Sequence, residues 1–264
     1  MNLLEKVKKK LLNKFNNKSF SSYEEALRFC EKKTKGAYES EILTEYRFRK
    51  TNNFLENKGN LLEAPSMPLL MFAVNYYLKK EKLIVPGIID FGGACGESLI
   101  LLEKIFSDAI YEKSWIIESP QMVKESKNWE FAKNIKFTSN LNEIISKKNI
   151  DIFFTSSCIQ YLKSPFEILS QVAESNISLV VLTRNHFSSE SKIRAQISFL
   201  SENGIGSHLE GYKDNVIYYP ITPIDEKKII DLFMKNGYSI LIDYRNKYEL
   251  NKSDHGGDLI FSKV

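Results

Sequence analysis

Cysteine and histidine are scarce in this sequence. Its 264 residues include three cysteines and three histidines, and Cys30, Cys95 and Cys158 form no CxxC pair and have no histidine at ligand spacing. An odd number of widely spaced thiols argues against a disulfide framework, and the spacing argues against a structural zinc site. We therefore expect reduced thiols and no bound metal.

Long hydrophobic runs and a strong excess of one charge are also absent. No stretch approaches the roughly 18 apolar residues of a membrane span, and the first residues lack the apolar block of a secretion signal. The 37 basic and 33 acidic side chains nearly balance. Basic residues at 6–14 alternate with apolar ones at helical spacing, which favours an amphipathic helix over a nucleic-acid or membrane patch. We expect a cytoplasmic protein without a nucleic-acid partner.

The order of apolar runs predicts one α/β domain behind a helical segment. Residues 1–80 read as helical throughout, with a serine cap at Ser21 or Ser22 followed by acids. From Pro86 onward, short apolar runs alternate with helix-length stretches, as in β-α-β units around a parallel sheet. We therefore predict a helical cap over residues 1–80, covering the carboxyl edge of the sheet, and a sheet domain over residues 81–264.

Seven strands and five helices are predicted in the sheet domain. The strands are expected at 88–91, 114–118, 135–138, 150–156, 177–183, 238–244 and 258–262, and the helices at about 97–107, 121–132, 141–147, 165–175 and 225–236. A short polar connection between the last two strands predicts an antiparallel hairpin. This Rossmann-like, mostly parallel sheet with an antiparallel last strand resembles the class I methyltransferase fold.

Residues 184–224 are too long for an ordinary connection between two elements. They contain a predicted helix at 189–202 and a glycine-rich turn at 204–206. Because long connections are usually functional, we expect a lid or a substrate-binding insertion.

A glycine-rich turn follows the first predicted strand, in the sequence DFGGACG at residues 90–96. Glycine lets the chain turn sharply and lets a ligand lie against amide groups at the start of a helix. The second strand ends in Glu118, 22 residues after Gly96. A carboxylate there can accept hydrogen bonds from both ribose hydroxyls of a bound nucleoside.

The spacing of the glycines distinguishes between nucleoside cofactors. It departs from the G-x-G-x-x-G pattern that seats a pyrophosphate, and Asp90 would repel a pyrophosphate but could pair with the α-ammonium of a methionine moiety. This favours S-adenosylmethionine over NAD. The expected cofactor contacts are Asp90, Phe91, Gly92, Gly93, Gly96, Glu118, Ser119, Asn140, Ser156 and Ser157.

Five segments together resemble a family of methyltransferases encoded in bacterial surface-polysaccharide gene clusters. They are FSSYEEA (20–26), DFGG (90–93), ESP (118–120), SSCIQYL (156–162) and LTR (182–184). The sequence departs from the family's usual Asp-Arg-Thr-Pro after the fifth strand, where it has Thr183-Arg184-Asn185-His186. The resemblance implies methylation of a capsule or lipopolysaccharide precursor, such as a sugar nucleotide or a phosphate or phosphoramidate group on one.

The acceptor side of the site has three candidate residues, His186, Arg184 and Tyr161. A neutral imidazole at His186, just past the fifth strand, could take the proton of an attacking hydroxyl, and His208 or His255 are alternatives. An anionic acceptor needs no base, and Arg184, Arg194 or Lys213 would then orient it.

Two other functions stay open at the sequence level. One is an NAD-dependent sugar-nucleotide oxidoreductase or epimerase, which the glycine spacing disfavours. The other is a methyltransferase-like protein that lacks activity and stabilises a partner enzyme.

Overall fold

The computed structural model describes residues 18–34, 40–81, 84–106, 109–147, 149–189, 192–251 and 254–264. The amphipathic helix predicted around residues 6–14 lies outside these ranges. Within them, no helix combines the length and the apolar character needed to cross a lipid bilayer.

Strands and helices alternate along most of the described chain. The strands are β1 (Ser19–Phe20), β2 (Ile88–Phe91), β3 (Trp115–Ile117), β4 (Phe137–Thr138), β5 (Ile152–Ser156), β6 (Leu179–Ser188), β7 (Ile193–Phe199), β8 (Val216–Ile221), β9 (Tyr238–Asn251) and β10 (Asp254–Lys263). The α-helices are α1 (Tyr23–Glu31), α2 (Glu41–Glu56), α3 (Met67–Lys80), α4 (Glu97–Phe106), α5 (Ala109–Lys113), α6 (Pro120–Ser126), α7 (Leu141–Ile145), α8 (Pro165–Glu174) and α9 (Glu226–Lys235).

The main sheet has seven strands in the order β4-β3-β2-β5-β6-β10-β9. Neighbours from β4 to β6 pair in parallel, whereas β10 runs antiparallel to both β6 and β9. This confirms the predicted Rossmann-like sheet with its antiparallel last strand. The first predicted strand coincides with β2, and the predicted terminal hairpin is formed by β9 and β10.

Apolar side chains cover both faces of the main sheet, as its continuous apolar runs predict. On one face Phe153 and Val180 pack with α7, α8 and α9. On the other face Phe154 and Val181 pack with α3, α4 and α5. Because successive residues of a strand point to opposite faces, each strand contributes to both cores. Helices therefore cover both faces of the sheet, and the carboxyl edge of the sheet is the part that a ligand can reach.

The prediction of a helix at residues 189–202 is wrong. The chain forms β7 there, followed by one turn of 3-10 helix at Leu200–Glu202. Ala195, Ile197 and Phe199 are buried, which is the two-residue period of a strand. β7 pairs with β8 and β1 in a three-stranded antiparallel sheet. Pairing with distant strands therefore overrides the helical propensity of this segment.

Among its described residues, the segment before Pro86 is mostly helical but includes the strand β1. Ser22 caps α1 as predicted, since its Oγ accepts a hydrogen bond from the Glu25 amide at 3.1 Å. β1 is not helical, because Ser19 and Phe20 pair with Arg194 and Ile193 of β7. The prediction of helix throughout residues 1–80 is therefore wrong at β1.

Helix α2 packs between the carboxyl edge of the main sheet and the three-stranded sheet. Phe48 clusters with Cys95, which follows β2. Tyr46 clusters with Ile217 and Tyr219 of β8. The helix therefore connects the start of the sheet domain with the insertion after β6.

A buried lysine fastens α2 to the loop after β7. Lys50 is 1% exposed, and its Nζ donates to the carbonyl oxygens of Ser201, Asn203 and Gly204 at 2.8, 3.1 and 3.1 Å. An ammonium has three donors, and all three are used here. Burial lowers the pKa of Lys50, and the three carbonyl oxygens offset that penalty. The loop at residues 201–204 is therefore held against the helix.

Candidate active site

A cavity of about 730 Å³ lies at the carboxyl ends of β2, β3, β5 and β6. Its remaining walls come from α2, from the turn before α3, and from residues 202–207, which we call the roof loop. Ligands of open α/β sheets bind at this edge, and the volume is typical of small-molecule sites. The cavity is therefore the candidate active site.

The floor of the cavity is formed by Gly92, Gly93 and Ala94 of the glycine turn, residues 92–96. The Gly92 amide donates to the Ile117 carbonyl oxygen at 2.8 Å, which ties the turn to β3. Gly92 has a φ of 71°, in the left-handed region that favours glycine. A Cβ added to Gly93 would lie 2.5 Å from Cγ of Asp90. The turn therefore requires glycine at both positions for its own packing.

Glu118 lies on the cavity wall beside the glycine turn. Its Oε1 accepts from the Ala94 amide at 3.1 Å, and its Oε2 accepts from the Ser119 amide at 2.8 Å. Burial raises the pKa of Glu118, and the nearby Arg47 guanidinium opposes that shift. Each carboxylate oxygen keeps a lone pair, so the group can still accept hydrogen bonds from two hydroxyls of a ligand.

Asp90 lies beneath the turn and is 3% exposed. It accepts a hydrogen bond from the Ser98 hydroxyl. Burial raises its pKa to about 7, against the lowering effect of that hydrogen bond. A cationic ligand group near Asp90 would favour the ionised form and reverse this shift.

We expect the stability of the ligand-free protein to fall as the pH rises from about 4 to about 7, because the folded state then binds a proton at Asp90 that the unfolded state has lost. Asp90→Asn removes this dependence. As the pH rises through that range, the free energy of unfolding of the variant should therefore increase by on the order of 3 kcal/mol relative to that of the wild type. Urea unfolding at pH 4.5 and 7.5 measures the difference. Parallel pH dependences of the two proteins would show that Asp90 is ionised when folded.

The end of β5 brings polar groups to the same cavity. Ser156 and Ser157 both line it, and the buried Oγ of Ser156 has no hydrogen-bond partner among the described residues. A buried hydroxyl of this kind is normally satisfied by a ligand or a water molecule. Together with the accepting oxygens of Glu118, this polar lining fits a nucleoside.

Tyr161 and Arg184 line the cavity on the side away from β3. The Tyr161 ring packs edge-on against Tyr219, with ring centroids 5.0 Å apart. Arg184 has a φ of 55°, and its amide donates to Oδ1 of Asp258 at 2.6 Å. The pairing of β6 with β10 shifts register at the same place, between Gly257 and Leu259. This bulge therefore lies at the cavity, where Arg184 is a lining residue.

The structure does not bring His186 to the cavity. β6 runs to Ser188 instead of ending at Thr183 as predicted, because β10 continues to pair with it beyond the bulge. The Nε2 of His186 lies 2.9 Å from Nη2 of Arg194 and 3.5 Å from Oδ2 of Asp254. Burial lowers the pKa of His186, and the Arg194 charge adds to this. A role as the base for a ligand in this cavity is therefore not supported.

Three of the predicted cofactor contacts also lie outside the cavity lining. Phe91 is buried in the sheet against Phe153, with ring centroids 5.8 Å apart. Gly96 precedes α4, where an added Cβ would lie 2.8 Å from Cδ1 of Ile135. Asn140 caps α7, since its Oδ1 accepts from the Glu143 amide at 3.2 Å. In this structure all three have packing or capping roles.

Arg47 is a cavity component that the sequence did not reveal, whereas the roof loop belongs to the insertion predicted to be a lid or a substrate-binding segment. Arg47 reaches the cavity from α2. Four residues along the helix, Thr51 donates to Oε1 of Glu97 at 2.8 Å, and Oε2 of Glu97 accepts from the Cys95 amide at 3.2 Å. No local motif marks Arg47, because its position depends on how α2 packs on the glycine turn.

No protein-family model and no curated protein matches this sequence, but solved structures match its fold. DesVI from Streptomyces venezuelae is 12% identical, with 82% of this chain and 98% of that chain covered and a TM-score of 0.51. A S-adenosylmethionine-dependent methyltransferase from Clostridium acetobutylicum is 12% identical, with 81% and 98% covered and a TM-score of 0.46. Magnesium protoporphyrin IX methyltransferase from Synechocystis, solved with bound S-adenosylmethionine, is 11% identical, with 85% and 98% covered and a TM-score of 0.43. At these identities the likeness concerns the fold alone, and with the strand order described above this chain has the Rossmann-like class I methyltransferase fold.

Proposed function

We propose that this chain is a S-adenosylmethionine-dependent methyltransferase that acts on a small molecule. The observation that carries the proposal is Glu118, whose carboxylate is fixed on the cavity wall by the amides of Ala94 and Ser119. Its remaining lone pairs suit the two hydroxyls of a ribose laid over the glycine turn. Ser156 and Ser157 offer further polar contacts on the β5 side.

The charges around the glycine turn favour this cofactor over NAD. Asp90 and Glu118 both lie at the turn, where a dinucleotide would place its pyrophosphate, and carboxylates there would repel it. The α-ammonium of a methionine moiety would instead pair with Asp90. The proposal therefore sets aside the oxidoreductase alternative.

When bound, S-adenosylmethionine would supply a methyl group on a sulfonium. An aligned nucleophile would attack that methyl carbon in line, with the thioether as the leaving group. The chain's contribution is to hold the nucleophile at the β6 side of the cavity. β5 separates β2 from β6, so Arg184 and the glycine turn lie on strands that are not neighbours in the sheet. Tyr161 and Arg184 are therefore proposed to border the acceptor.

The histidines indicate which kind of acceptor fits. Among the described residues none of the three lines the cavity. His186 contacts Arg194, His208 lies 2.6 Å from the Tyr46 hydroxyl oxygen, and His255 lies 3.3 Å from a Glu226 oxygen. An acceptor that is already an oxygen anion needs no base, and Arg184 can orient it.

We therefore propose O-methylation of an anionic group, such as a phosphate or phosphoramidate. In line with the family resemblance, the acceptor would be a sugar nucleotide or a phosphorylated precursor of a bacterial capsule or lipopolysaccharide. An anionic acceptor oxygen carries no proton, so methyl transfer to it would need no general base, and Arg184 would only have to orient it.

Calorimetric titration with S-adenosylhomocysteine tests the cofactor, and mass spectrometry of sugar nucleotides and sugar phosphates incubated with S-adenosylmethionine tests the acceptor. We expect saturable binding and the addition of one methyl group to an anionic compound. Absence of binding would refute the cofactor assignment. Binding without methylation of any acceptor would instead favour the inactive partner protein.

For the acceptor found in that way, Arg184→Met should raise KM by about 10-fold to 100-fold, because a charge-assisted contact is lost. Affinity for S-adenosylhomocysteine should change less than twofold, and Arg184→Lys should recover part of the loss. Steady-state kinetics with a binding titration measures both. An unchanged KM would remove Arg184 from the acceptor site.

His186→Asn is the matching variant for the alternative, in which a histidine removes the proton of a neutral hydroxyl. We expect turnover within about threefold of the wild type, because the imidazole lies outside the cavity. A loss of about 100-fold or more, as for removal of a general base, would restore His186 as a catalytic residue and would contradict the anionic acceptor.

A further inference from the structure

Two arginines that come from different parts of the chain line the cavity. Arg47 belongs to α2, and Arg184 belongs to β6. Among the described residues that line the cavity, no lysine or histidine accompanies them. Any anionic ligand group in this cavity therefore has these two arginines as its charged partners.

Arg47 belongs to the glycine-turn end of the cavity. Phe48, the next residue, clusters with Cys95 of the turn, and Thr51, one helical turn on, donates to Glu97. The Arg47 charge also lowers the pKa of Glu118 at the end of β3. Arg184, in contrast, lies beyond β5 at the acceptor side.

A methionine moiety at the turn carries a carboxylate as well as an ammonium. Asp90 suits the ammonium, but Asp90 and Glu118 would both repel the carboxylate. Burying a carboxylate without a cation is costly, so the site needs a positive group at this end. Arg47 is the one placed to supply it.

We propose that Arg47 binds the carboxylate of the methionine moiety and leaves Arg184 for the acceptor. This inference rests on the proposed function and assigns one residue within it. It makes the cap part of the cofactor site. Removing the cap should then weaken cofactor binding as well as turnover. If the cap covered only the acceptor, its removal would lower turnover and leave cofactor binding unchanged.

The test compares two ligands that share the nucleoside. S-adenosylhomocysteine has the carboxylate and the ammonium, whereas 5′-methylthioadenosine has the same ribose, adenine and thioether without the amino-acid moiety. Arg47→Met should weaken the affinity for S-adenosylhomocysteine by about 10-fold or more, in the range for hydrogen bonds to charged groups. It should change the affinity for 5′-methylthioadenosine by less than threefold. Arg47→Lys should lie between Arg47→Met and the wild type. Calorimetric titration measures all affinities.

Arg49→Met is the matched control, because Arg49 lies on the same helix but pairs with Glu45 on the exposed face. It should leave both affinities unchanged. Equal weakening of the two ligands by Arg47→Met, or no weakening of either, would overturn the assignment of Arg47 while leaving the cofactor in place. A wild-type protein that binds neither ligand would refute the proposed function itself.

Discussion

Gly92→Val is expected to abolish binding of S-adenosylhomocysteine, with a loss of about 100-fold or more, equivalent to about 3 kcal/mol. A β-branched residue strongly disfavours the left-handed φ of 71° at this position. Its Cβ would also lie 2.3 Å from Sγ of Cys158. Both effects force the glycine turn out of shape. Gly93→Val should act similarly, because its Cβ would meet the Asp90 carboxyl group.

Gly211→Val is the matched control for Gly92→Val. Gly211 has a φ of 81°, but no atom lies within 4 Å of the Cβ that a substitution would add. The control should therefore lose stability through backbone strain and still bind the ligand. Circular dichroism shows that each variant is folded before titration, and Gly92→Ala provides a milder change. Normal binding by both Gly92→Val and Gly93→Val would show that this turn is not the cofactor loop.

Glu118→Ala should weaken the affinity for S-adenosylhomocysteine by about 10-fold to 150-fold, which is the range for losing hydrogen bonds to a charged group. The variant also leaves the Ala94 and Ser119 amides without their carboxylate partner, so some loss of folding stability is expected. Unlike Arg47→Met, Glu118→Ala should also weaken the affinity for 5′-methylthioadenosine, because both ligands contain the ribose. Calorimetric titration with the two ligands separates the effects of the two side chains.

Asp151→Ala is a suitable control for Glu118→Ala. Oδ2 of Asp151 accepts from the Gly87 amide at 2.8 Å, at the start of β5 and therefore at the opposite edge of the sheet. This variant should lose stability in a similar way while keeping its affinity for both ligands. If Glu118→Ala were folded and bound S-adenosylhomocysteine normally, Glu118 would be excluded from the site.

The parts that the sequence predicted are those fixed by local chemistry. The glycine turn and Glu118 each follow a short, largely apolar run of strand length, and the order of strands then places both at one edge of the sheet. The terminal hairpin could be read from its short polar connection. These features depend on residues close together in the chain.

The parts that could not be predicted depend on contacts between distant residues. The bulge at Arg184 uses Asp258, 74 residues away, and it decides that His186 lies outside the cavity. Arg47 reaches the site only because α2 packs on the glycine turn. The strand β7 replaces a predicted helix because β1 and β8 are available to pair with it.

The ammonium of Lys50 also couples two segments that contribute to the cavity walls, α2 and the loop after β7. If residues 201–204 moved away from α2 alone, the buried Lys50 ammonium would lose its three carbonyl partners, at a cost of several kcal/mol. α2 and residues 201–204 are therefore expected to behave as one unit, and Lys50→Met should uncouple them.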